Sequence, residues 1–181
     1  MRVSFLFAVI LVAVGFAMPA QAGGCNFKSA RPWAPFAGQS FSTEAYSNGP
    51  GCVGAVATIL VRDGKGRVLW TEAMAVEHVM TFAGVTSPSR MVAALSDWLK
   101  QQHLFRSSAD LPVWRKGAES PGSVGEFPFY VAAGVDQVSY EEIRTQRSAM
   151  FCYVQGMESL ACVAIGKDGT ATKVGVQSFP G

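Results

Sequence analysis

The sequence predicts an α+β domain: an antiparallel sheet of about six strands, with one main helix over 87–103 packed on it and one short helix over 140–148. Two observations carry this prediction. Two Asp-Gly turns, Asp63-Gly64 and Asp168-Gly169, each sit between apolar runs of strand length. Ser87-Pro88 opens the clearest helical periodicity in the chain. Six strands with one substantial helix and one short one then give an antiparallel α+β domain.

The first 22 of the 181 residues read as a secretory signal peptide. Arg2 supplies the positive charge, an apolar stretch follows from Phe5 to Phe16, and Ala20-Gln21-Ala22 is the small-x-small pattern of a cleavage site. That apolar stretch is shorter than the ~20 residues needed to span a bilayer, and no other segment approaches that length. The mature chain is therefore expected to carry no transmembrane segment. Ala22-Gly23-Gly24-Cys25 raises an alternative, a lipid tether at Cys25, but lipidation would leave an odd cysteine in an oxidising compartment.

Residues 23–51, rich in Gly, Pro, Ser and Asn, read as an extended lead-in, with Trp33 and Phe36 lying on the core. A single α+β domain is expected over 52–181. Its first hairpin pairs 53–62 with 67–82 around Asp63-Gly64-Lys65-Gly66. In the main helix, Met91, Val92, Leu95, Trp98 and Leu99 form an apolar stripe, with Ser87 as N-cap and Pro88 at the first helical position. Residues 104–126 read as a long Gly/Pro loop, and 127–135 as a strand. Ser139-Tyr140-Glu141-Glu142 fits a capping box for the short helix. A meander of 149–154, 160–166 and 170–179 closes the chain.

The four cysteines, Cys25, Cys52, Cys152 and Cys162, are even in number and lie outside the leader, as expected of disulfides in an exported protein. Local pairing, Cys25 with Cys52 and Cys152 with Cys162, is favoured because a hairpin centred on Met157 puts the second pair directly opposite each other. No C-x-x-C is present for thiol redox chemistry, and no cysteine–histidine spacing suits zinc.

Little else points to chemistry. A formal charge of +2, with 15% charged residues, gives no reason to expect a nucleic-acid partner. The G-x-S-x-G elbow, S-x-x-K, H-E-x-x-H and the phosphate-binding G-x-x-x-x-G-K-[ST] loop are missing. Glu141 and Glu142 are neighbours on a helix, where successive side chains diverge, so they make a poor acid/base pair. No catalytic residue, metal ligand or cofactor is assigned. The leading expectation is a non-enzymatic, exported (periplasmic) domain of a bacterial cell envelope, binding a protein partner or small ligand. Its groove would form where Trp114, Phe127, Phe129 and Tyr130 flank the Gly117–Gly125 loop. One alternative is a soft-metal, copper-handling protein using Met74, His78 and Met80 on one face of the 67–82 strand. Another is a cysteine-dependent enzyme pairing Cys52 with His78 or His103.

Overall fold

The computed structural model describes residues 24–100, 105–122 and 127–178. The signal-peptide reading of 1–22, the helix end at 101–103 and the tip of the 104–126 loop lie outside those residues. Among the described residues, nine strands form two antiparallel sheets, with two α-helices. The first sheet is an up-and-down run of β1 (Phe27–Trp33), β2 (Phe41–Asn48), β3 (Val56–Asp63) and β4 (Val68–Ala75). After helix α1 (Pro88–Lys100) come β5 (Phe105–Ser107), β6 (Phe129–Val131), helix α2 (Gln137–Thr145), β7 (Ala149–Val154), β8 (Ser159–Ile165) and β9 (Ala171–Ser178). These later strands make the second sheet, ordered β5-β7-β8-β9-β6. The class is α+β, and the strands divide between two sheets where one had been expected.

Two of the three extra strands come from the segment read as a lead-in, and the third, β5, from the start of the 104–126 segment read as a loop, where a 3-10 turn over Ser108–Asp110 follows it. Arg31-Pro32 lies in β1, where proline is tolerated because β1 is an edge paired only with β2. Along β2 the buried alternation is Phe41, Thr43, Ala45 and Ser47, half of it polar and all but Phe41 small. Such a face lets a helix approach closely. α1 settles over β1 and β2, and the Arg31 guanidinium donates to the Leu99 carbonyl at 3.0 Å, satisfying one of the open acceptors at the helix end. Trp33 is buried and stacks on Phe41, while Phe36 is 38% exposed and is not part of the core.

α1 starts at Pro88 as the sequence predicts, with the Met91 N–H donating to the Ser87 carbonyl. Its buried face is Met91, Ala94, Leu95, Trp98 and Leu99. Val92 falls at the edge of that stripe and is 48% exposed. Trp98 reaches the second sheet: its indole N–H donates to the Val154 carbonyl at 3.0 Å, and its ring meets Phe82 and Tyr153 edge-on. β4 is the other bridge between sheets. Glu72 accepts a short hydrogen bond from the Tyr153 hydroxyl and an ion pair from Lys173 at 3.2 Å, and the same ammonium reaches Gln155.

The 67–82 strand is shorter than its apolar run suggests. It ends at Ala75, and the chain turns through two 3-10 segments, Val76–His78 and Met80–Phe82. Val76, Val79 and Phe82 are all buried. Their spacing of three matches the 3.0 residues per turn of a 3-10 helix, so the core-facing side chains line up without a strand.

α2 begins three residues earlier than expected. Asp136 is its N-cap, accepting from the Ser139 N–H at 2.8 Å while the Ser139 hydroxyl accepts from the Asp136 N–H. Ser139 is thus the third residue of the box, and Glu142 instead accepts from the Gln146 side chain. The 127–135 strand shrinks to β6, which Gly175 admits: a Cβ there would run into the Tyr130 carbonyl and the Phe129 ring. The β7–β8–β9 meander matches its predicted limits to within a residue or so, with Cys152 opposite Cys162.

Candidate functional site

The four cysteines form two disulfides, Cys25–Cys52 and Cys152–Cys162, with Cα separations of 4.9 and 4.1 Å. Among the described residues no cysteine is free. A sulfur committed to a disulfide neither attacks a substrate nor carries a lipid thioether, so the pairing removes both the Cys52 nucleophile and the tether at Cys25.

The Met74–His78–Met80 face does not exist as a strand face. Met74 lies on β4, while His78 ends the first 3-10 turn and Met80 begins the second. The His78 side chain is 75% exposed, with Glu77 at 3.7 Å. Among the described residues no group of three His, Cys, Asp or Glu is placed to hold a metal ion.

The aromatics around the 104–126 loop are largely spent on packing. Trp114 meets Tyr140 edge-on and donates to the Ala118 carbonyl at 2.8 Å, and Phe129 is buried against the same tyrosine. Glu141 accepts from the Trp114 backbone N–H at 2.9 Å and from Arg144 at 2.8 Å, and the Tyr140 hydroxyl donates to the Pro112 carbonyl. These bonds pin 111–118 onto α2. Phe127 and Tyr130 remain exposed on the surface. Of the four aromatics, Trp114 and Phe129 are therefore committed to holding α2, which leaves only Phe127 and Tyr130 for the expected groove.

A concave feature lies elsewhere, where the two Asp-Gly turns meet. A cleft of about 640 Å³ is lined by 38–41 before and at the start of β2, by 63–65, 67 and 69 around the β3–β4 turn, and by 165–169 at the β8–β9 turn. This volume falls within the ~300–1,000 Å³ of small-molecule sites. Each turn is built by its aspartate. Asp63 accepts from the backbone N–H groups of Lys65 and Arg67 at 3.0 and 2.9 Å and from the Arg67 side chain at 3.1 Å. Asp168 accepts from the Thr170 N–H at 2.9 Å and its hydroxyl at 2.7 Å.

Gly169 lets the turns touch. Its φ of +82° is a conformation L side chains rarely adopt, and a Cβ there would strike the Arg67 guanidinium of the other turn. Gly169→Ala is expected to lower stability by about 1–2 kcal/mol, from backbone strain and displacement of Arg67. Urea denaturation of the variant checks this, and an unchanged midpoint would show that the turns do not depend on that approach.

Phe41, Leu69 and Ile165 form an apolar floor. The polar groups on the walls fall into two kinds. Asp63 and Asp168 are consumed by their turns. Burial pushes the Asp63 carboxyl up, but the donors from Arg67 and Lys65 outweigh it, and the net position is below the usual range. The Thr170 N–H and hydroxyl hold Asp168 low as well, helped by the Arg67 charge. Lys65 and Lys167, one on each turn, are exposed and have no side-chain hydrogen bond or ion pair among the described residues. Gln39 Oε1 is buried there without a partner.

Outside the cleft, burial and then the Glu72 carboxylate push the Tyr153 hydroxyl far above its ordinary value, and burial does the same for Tyr140. A raised tyrosine pKa stabilises the fold fully below the unfolded value of about 10 and is lost as pH rises toward the folded value. The depressed carboxyls act in the opposite sense, contributing above about pH 4 and failing as pH falls through their lowered values. The urea midpoint is therefore expected to hold steady from about pH 6 to 9 and to drop beyond about pH 10. A smaller alkaline drop in Tyr153→Phe would assign its share; an identical drop would rule that tyrosine out as a source.

Compared with known proteins, the chain matches no family model, no curated protein and no solved structure. No helix among the described residues is long and apolar enough to cross a membrane.

Proposed function

We propose that this chain is an exported binding domain of the bacterial cell envelope, non-enzymatic, and that it takes a small ligand in the cleft between its two Asp-Gly turns. The observation carrying this reading is the cleft itself. It is concave and apolar at its base, has polar groups left open on its walls, and is formed by turns from two different sheets. Binding suits the lining better than catalysis, since both carboxylates accept donors that build the turns and are held below the usual carboxylate range, which poises neither as a proton donor. The two disulfides support export, because such bonds persist in oxidising compartments.

The test is native mass spectrometry of the mature protein after incubation with the small-molecule fraction of a bacterial envelope extract. A discrete adduct is expected on the wild type and its loss on Ser40→Trp, where an indole at the cleft edge fills the space. Lys167→Trp, at an exposed lining position, serves as a second blocking variant, and far-UV circular dichroism confirms that each is folded. An adduct that persists in both folded variants, or none on the wild type, overturns the cleft as the ligand site.

A further inference from the structure

The chemistry of the cleft narrows its ligand. We infer that the site is built for an organic carboxylate with an apolar body, its anionic end held between Lys65 and Lys167 and its body laid on Phe41, Leu69 and Ile165. This rests on the cleft being a binding site.

The sign of the ligand follows from which charges are already spent. The lining holds two carboxylates and three cations, namely Asp63, Asp168, Lys65, Arg67 and Lys167. Asp63 takes three donors, among them the Arg67 side chain, and Asp168 takes two from Thr170. Arg67 is occupied by Asp63 and lies against Gly169. The two ammonium groups are left over. They sit on the β3–β4 and β8–β9 turns, two of the segments that line one cleft, so an anion held there lies in the field of both. Each is a point charge on a flexible stem, suited to closing on an anion of loosely defined shape rather than reading a fixed bidentate geometry.

The apolar floor determines the rest. A bare inorganic anion would gain nothing from Phe41, Leu69 and Ile165, whereas an alkyl or aryl group would bury area there and against the lysine stems. A cationic or neutral ligand of the same shape would leave both ammonium groups without an acceptor. Carboxylate is favoured over an organic phosphate because the cleft presents no arginine fork directed at it beyond the occupied Arg67.

The experiment titrates ¹⁵N-labelled mature protein with 3-phenylpropionate, 3-phenylpropan-1-ol, 3-phenylpropylamine and inorganic phosphate, each at millimolar concentration, following the Gly64 and Gly169 amides. The carboxylate is expected to shift both amides, to bind about tenfold more tightly than the alcohol and to weaken as salt is added. Lys65→Gln with Lys167→Gln, both exposed positions, is expected to bring the carboxylate down to the affinity of the alcohol. If the amine or the alcohol binds these amides as well as the carboxylate, the anionic assignment is overturned while the cleft still binds. If phosphate alone matches the carboxylate, the apolar body is overturned. If no probe shifts Gly64 and Gly169, the carboxylate assignment fails, and the envelope-extract adduct separately decides whether the cleft binds anything.

Discussion

Trp98→Ala is expected to cost about 3–5 kcal/mol, the usual range for emptying a buried tryptophan site. Trp98 heads the fully buried large side chains, and three different elements meet on it: α1 carries it, Phe82 of the second 3-10 turn packs on its ring, and Tyr153 of β7 meets it edge-on. Truncation removes all of these contacts and also leaves the Val154 carbonyl without the indole donor. Domains of this kind are stable by about 5–15 kcal/mol, so the loss is about a fifth or more of the total, and at the low end of that range leaves the chain unfolded at room temperature. Trp98→Phe separates the two contributions, keeping most of the packing and losing only the hydrogen bond, at about 1–3 kcal/mol. Urea melts followed by far-UV circular dichroism report both variants without relying on the other three tryptophans. A Trp98→Ala cost below about 1 kcal/mol would mean that α1 is held to the second sheet by something other than this side chain.

The parts of this fold legible in the sequence are those whose local chemistry and tertiary role agree. β7, β8 and β9 combine apolar runs with turn residues, and the cross-strand position of Cys152 and Cys162 follows from the hairpin register alone. α1 is announced by Ser87-Pro88 and by an apolar stripe that the core then uses. β1 and β2 are obscure for the opposite reason. The buried face of β2 carries Thr43, Ala45 and Ser47 because α1 packs tightly over it, so the face a reader would seek as apolar is half polar. Val76, Val79 and Phe82 carried a period of three, but alternation of other residues across 67–82 masked it.

The cleft was legible only in its pieces. Asp63-Gly64 and Asp168-Gly169 each declare a turn, and nothing local says that turns from two sheets will touch. That depends on β4 meeting the second sheet through Glu72, Tyr153 and Lys173, residues far apart in the chain. The aromatic loop misled because Trp114 and Phe129 look like ligand contacts in sequence and act as anchors for α2 in space. One weak signal was present: both turns pair an aspartate and glycine with an otherwise unneeded lysine, Lys65 and Lys167. A turn gains nothing structural from a lysine at that place, and its repetition on two walls of one cavity is what gives it meaning.

Replacing Cys25 and Cys52 together by alanine is expected to destabilise the domain by about 3 kcal/mol, more than the corresponding change at Cys152 and Cys162. Loop closure alone gives about 3.5 kcal/mol for the 27-residue separation and about 2.7 for the 10-residue one. The second bond also joins residues already held opposite each other by the β7–β8 ladder, so its removal releases less freedom still. The first bond has a different task. Cys25 precedes β1, and Cys52 lies in the turn after β2, so the bond closes the open end of the β1–β2 hairpin alongside the Cys25 N–H to Gly49 carbonyl bond at 2.8 Å. β1 is an edge strand paired on one side only and contains Pro32, which cannot donate to the ladder. Without the bond, β1 is expected to fray from its first residues. Hydrogen exchange at Phe27 to Ala30 should then accelerate well before the amides of β3, and the Arg31 contact to Leu99 should weaken with it. Uniform acceleration across both sheets would contradict this, showing that the bond acts on the stability of the whole domain rather than on the pinning of its edge.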